Sequence, residues 1–100
     1  MILGIEASNI RGGGGVTHLV ELLRHADPVK HGFTKIYLWS VDSTLDQIEA
    51  RPWLIKMRHP FINKTTLHRF FWQMFKFLPE LRRIHCSLLF VPGGTYLGGF

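Results

Sequence analysis

Ile2-Leu3-Gly4-Ile5-Glu6-Ala7-Ser8-Asn9-Ile10-Arg11-Gly12-Gly13-Gly14-Gly15-Val16-Thr17-His18-Leu19 is the stretch on which the reading of this chain turns. Residues 2–7 form a short apolar run bounded by polar and glycine residues, the pattern of a strand buried on both faces. From Val16 onward, Val16, Leu19, Val20 and Leu23 fall at i, i+3, i+4 and i+7, one face of a helix. The four glycines between these segments clear every side chain from the turn. The helix that follows aims the positive end of its dipole at the same spot. Strand, glycine turn and helix, in that order, are how an α/β domain brings backbone N–H groups up to a phosphate. A flexible connector is the alternative reading of the glycines.

Beyond this segment the alternation continues. Residues 33–39, with Ile36, Tyr37 and Leu38, read as a second strand. Residues 43–51 open with Ser43 and Asp46 in capping-box spacing, which predicts a short helix stopped by Pro52. Residues 53–57 read as a third strand. Asn63 or Thr65 then caps a longer helix with an apolar stripe of Leu67, Phe70, Phe71, Met74, Phe75 and Leu78. Pro79 breaks or restarts it, and Leu81 and Ile84 continue the apolar character. Residues 87–91 form the last strand, before Pro92-Gly93-Gly94-Thr95 and Gly98-Gly99. The order β-α-β-α-β-α-β predicts an α/β fold with a parallel sheet of about four strands, helices on both faces and right-handed crossovers. The chain ends soon after a strand that no helix follows, and an apolar parallel edge strand is an aggregation liability. Residues 1–100 are therefore expected to be an incomplete domain, poorly soluble alone.

Bulk properties narrow the partners. Hydrophobic residues make up 46% of the chain and charged ones 19%, a globular composition. A net charge of +5 favours anionic partners in general. Cys86 is the only cysteine, which excludes a disulfide framework and fits a reducing, cytoplasmic setting. Residues 84–100 lack Asp, Glu, Lys and Arg but contain Pro92 and four glycines, so they do not read as a spanning helix.

Several familiar sites are disfavoured. A dinucleotide fingerprint would need glycine at position 17, where Thr17 stands, and a P-loop would need Gly-Lys before a hydroxyl residue. The second strand closes on Trp39-Ser40 rather than an acidic residue, although Asp42 lies near. His18, His25, His31, His59, His68 and His85 are scattered without ligand spacing, so no metal site is predicted. Ser8, Ser40 and Cys86 have no motif partner that would make a nucleophile. Trp72 and Phe77 lie off the stripe of the long helix, among Lys64, Arg69, Lys76, Arg82 and Arg83. Such a basic-aromatic helix suits peripheral contact with an anionic membrane, but burial against the sheet explains the same two rings and is preferred.

Residues 2–19, quoted above, resemble the amino-terminal segment of family 4 (group 1) glycosyltransferases of the GT-B fold. Leu89-Phe90-Val91-Pro92-Gly93-Gly94 resembles the fourth strand and its loop in those proteins, and Arg51-Pro52-Trp53 falls at a fitting place between. The resemblance implies a Rossmann-like, acceptor-side half-domain of a two-domain enzyme whose carboxy-terminal, donor-binding domain is absent here. It implies transfer of a sugar from a nucleotide-sugar donor to a saccharide or lipid-linked acceptor, with retention, without metal or cofactor, and with no nucleic-acid partner. It assigns the donor diphosphate to the backbone of Gly13, Gly14 and Gly15. Glu6 would orient an acceptor hydroxyl or bond loop N–H groups. Arg11 would meet an acceptor anion or stay solvated, and His18 would bond a substrate or lie on the helix surface. Thr95 and Tyr96 would border the acceptor pocket. The family's paired catalytic glutamates belong to the other domain; only Glu6, Glu21, Glu49 and Glu80 occur here, so this chain alone is expected not to transfer sugar. Another phosphate-binding α/β enzyme and a non-catalytic α/β interaction module are the rival readings.

Overall fold

The computed structural model describes residues 1–8, 10, 13–64 and 66–91. Strands β1 (Ile2–Glu6), β2 (Lys35–Trp39), β3 (Leu54–Met57) and β4 (Leu88–Phe90) make one sheet in the order β3-β2-β1-β4. Every pairing is parallel, so the chain is α/β with a Rossmann-like half-sheet, as the alternation predicts. Leu3 stands between Ile36 and Leu88, and Ile5 between Leu38 and Phe90. The chain first winds outward from β1 to β3, then returns to lay β4 on the other side of β1. Strand order thus reverses at β1, and in open α/β sheets ligands collect beyond the carboxyl ends of the strands at such a reversal.

Strand alternation feeds two cores. Ile5, Ala7, Ile36 and Leu38 face one side, where they meet Leu19 and Leu23 of α1 (Gly14–Arg24) and Leu45 of the single turn α2 (Asp42–Leu45). Trp39 faces the other side, against Ile62 of α3 (Pro60–Asn63), Trp72 of α4 (Thr66–Phe75) and Phe77 and Leu81 of α5 (Phe77–Arg83). Phe77 sits edge-on to Trp39 at 4.9 Å between ring centroids and lies 4.8 Å from Trp72. Position 4 is tight: a Cβ there would stand 3.0 Å from Cys86 Sγ and 3.2 Å from Trp39 Cζ3, so those side chains would have to give by a few tenths of an ångström.

Local boundaries depart from expectation where tertiary partners act. Helix α1 starts at Gly14 rather than Val16, so the last two glycines form its first turn. Helix α2 ends at Leu45 and is not opened by a Ser43 cap; Asn63 Oδ1 accepts from Asp42 N at 2.7 Å instead. Asn63 therefore caps α2 rather than the long helix, while Thr65 lies outside the described residues. The expected long helix is two pieces, α4 and α5, divided at Lys76 rather than at Pro79, and the separate α3 precedes it. Pro79 sits in the first turn of α5, where its missing N–H costs no helical bond.

The burial of α4 is also reversed relative to its apolar stripe. Leu67, Phe71, Met74 and Phe75 are exposed, whereas Arg69, Trp72 and Gln73 are buried. Trp72 and Phe77 are fully buried, which agrees with the preferred reading of those two rings.

His59 caps α3: its Nδ1 accepts from Phe61 N at 3.2 Å, and its ring packs against Phe61 and Trp72. Burial pushes its pKa below 6.5, with Lys76 adding to the effect and Glu80 opposing it. Between the lowered value and 6.5 the unfolded chain holds more protons than the folded one, so stability is expected to fall as pH drops through this window. Thermal melts at neutral and mildly acidic pH check this. In His59→Asn, which caps without titrating, the acid-induced loss should be smaller; an equal loss in both proteins would assign it to other groups.

Candidate functional site

The end of β1 is built from polar groups that the sheet buries. Ala7 N donates to Trp39 O at 2.8 Å, extending the ladder one residue past β1. Ser40 Oγ, beyond the end of β2, donates to Ala7 O at 2.8 Å, and Thr44 Oγ1 donates to Ile10 O at 2.8 Å. Together they fasten the start of the β1–α1 connection to the neighbouring strand and to α2.

Glu6, the last residue of β1, is completely buried. Its Oε1 accepts from Ser8 N at 2.8 Å and its Oε2 from Gln73 Nε2 at 2.8 Å. Arg69 NH1 donates to Ser8 Oγ at 3.3 Å, and its guanidinium lies 4.9 Å from the Phe70 ring. The inner face of α4 therefore grips the loop from below. Of the two roles open to Glu6, bonding a loop N–H is the one this geometry contains.

Helix α1 begins at exposed glycines. Gly13, the N-cap of α1, has φ of 70° and ψ of −148°, a conformation that L side chains rarely adopt. Among the described residues no side chain caps the helix, and no acidic residue stands in its first turn. Gly13, Gly14 and Gly15 are exposed, and a Cβ on Gly13 or Gly14 would meet nothing within 4 Å. The first turn of this 11-residue helix is thus exposed, with no described atom within 4 Å of a Cβ on Gly13 or Gly14, and it follows β1, where strand order reverses. Such an end can accept an anion through backbone donors alone.

The remaining expected residues divide. His18 is exposed in the second turn of α1, beyond the glycines. Arg11, Gly12, Thr95 and Tyr96 lie outside the described residues. A cleft of about 640 Å³ lies elsewhere: Leu3, Ile5, Leu22, Leu23, Leu88 and Phe90 make it an apolar trough beside the edge strand, without the glycine turn. Burial raises the pKa of the Cys86 thiol, with its hydrogen bond to Leu88 O acting in the opposite sense. That shift leaves it a poor nucleophile at neutral pH. Among the described residues no group of three or more His, Cys, Asp and Glu could hold a metal ion, and no helix is long and apolar enough to cross a membrane.

Sequence reasoning missed Gln73 and the structural parts played by Ser8, Arg69 and Thr44. The available signal was Trp72, a bulky ring outside the stripe, flanked by Arg69 and Gln73 on the same side of the helix. No family model, curated protein or solved structure matches the chain.

Proposed function

We propose that this chain is the acceptor-side half-domain of a GT-B glycosyltransferase resembling family 4, and that the N-terminus of α1 receives the diphosphate of a nucleotide-sugar. The observation that carries the reading is the exposed helix start at Gly13, Gly14 and Gly15, which no described side chain caps, following β1 where strand order reverses. As the glycosidic bond to the donor breaks, negative charge grows on the departing diphosphate. Fixed N–H dipoles stabilise that charge without reorganising. The Glu6–Ser8–Arg69–Gln73 contacts keep the turn in place beneath it. Sugar goes to a hydroxyl of a saccharide or lipid-linked acceptor, and the carboxylates that drive the transfer come from a second domain. Neither a metal nor a cofactor enters the scheme.

Two experiments test it. The reading frame beyond Phe100 is expected to encode a second Rossmann-like domain carrying paired glutamates; a stop codon there would favour a free-standing interaction module. Nucleotide competition in the complete protein separates the enzymatic rival, since tighter binding of NAD than of nucleotide-sugars would indicate a different phosphate-binding enzyme.

A further inference from the structure

The outer face of α4 is apolar and bare. Leu67 is 76% exposed, Phe71 49%, Met74 52% and Phe75 61%, and together they occupy one side of the helix. Phe71 and Phe75 lie 4.9 Å apart, and Phe61 of α3 joins the row at 5.8 Å from Phe71. A run of large exposed side chains of this kind marks a contact surface rather than ordinary scatter.

Charge around the row selects the partner. Lys64 Nζ and Lys76 Nζ stand 5.6 Å and 5.2 Å from the centre of the Phe61 ring, so two ammonium groups border the apolar side chains. From position 59 to 85 the fixed charges are Lys64, Arg69, Lys76, Arg82 and Arg83 against Glu80 alone. That carboxylate faces inward, where its Oε1 accepts from Trp39 Nε1 at 3.2 Å. Relief at the row is slight: the hollow lined by Phe61, Leu67, His68 and Phe71 is about 280 Å³. A protein partner of high affinity normally seats an anchor in a deep pocket. A flat apolar row with a cationic border suits the headgroup and acyl boundary of an anionic bilayer, where lysine stems lie along apolar surface while their ammonium groups meet phosphates.

We propose that α3 and α4 dock this chain on anionic lipid, with Leu67, Phe71, Met74 and Phe75 entering the interface and Lys64 and Lys76 meeting the headgroups. The proposal stands independently of sugar transfer. It uses the face of α4 opposite to the one that grips the β1 loop, and neither Trp72 nor Phe77 takes part.

Sedimentation with lipid vesicles tests it. The chain should bind phosphatidylcholine vesicles carrying phosphatidylglycerol at least about tenfold more tightly than phosphatidylcholine alone, with the difference shrinking in high salt. Phe71→Ser with Phe75→Ser should weaken binding by about 30-fold or more. Lys64→Glu with Lys76→Glu should abolish the preference for anionic lipid. All four side chains are exposed, so thermal melting of the variants should match the parent. Failure of the parent chain to bind either vesicle, or binding indifferent to the phenylalanine pair, overturns the proposal. So does lipid-free self-association that the phenylalanine pair abolishes, because the row would then be a contact between protein copies.

Discussion

Phe77→Ala is expected to destabilise the chain by about 3–5 kcal/mol, the range for emptying a fully buried aromatic site. Phe77 opens α5 and fills the space between Trp39 and Trp72, so its loss leaves two indoles facing a void. Those indoles belong to different elements, β2 and α4, and cannot close together without moving a helix. For a domain of this size each kcal/mol shifts the melting temperature by roughly 4–8 °C, so a fall of about 12–40 °C should be seen by circular dichroism. Phe75→Ala is the internal control. It lies two positions earlier on the exposed side of α4, and its replacement should change stability by no more than about 0.5 kcal/mol. Similar losses for the two variants would mean that α4 and α5 do not break at Lys76 as described.

Gly14→Val in the complete protein should lower sugar transfer by about 100-fold or more while leaving the fold intact. Position 14 is the cleanest probe of the turn. Gly13 has a positive φ, so any side chain there strains the backbone, and a Cβ on Gly15 would touch Ile10 Cγ2 at 3.4 Å. A Cβ on Gly14 meets no described atom within 4 Å, so a branched side chain there adds bulk at the helix start without crowding the described core. Loss of activity without loss of melting temperature therefore reports on ligand access. Unchanged activity would remove the diphosphate from this turn, and with it the proposed mechanism.

How much of this was legible in the sequence differs between strands and helices. The strands were readable because each is a short apolar run closed by polar or glycine residues, and a sheet covered on both faces asks for little more. The glycine turn was readable because few other structures use four consecutive glycines between a strand and a helix. Helix α4 was misleading for a physical reason. Its more apolar side points outward, while the side facing the sheet mixes Trp72 with Arg69 and Gln73, whose polar groups find partners on Ser8 and Glu6. Periodicity counts apolar residues and cannot register a buried polar group satisfied from 61 or 67 positions away. The caps at Ser43 and Asn63 were misread for a similar reason. Asn63 and His59 both serve helix starts, but Asn63 serves α2, an element 21 residues earlier in the chain.

The arrangement of the three tryptophans gives the protein built-in optical reporters. Trp39 and Trp72 share the core beneath α4 and α5, while Trp53 packs with the cluster on the opposite side of the sheet. Emission from variants keeping one indole at a time would follow each half of the interior separately. Coincident transitions would identify a single cooperative unit, and staggered ones would reveal which layer peels away first.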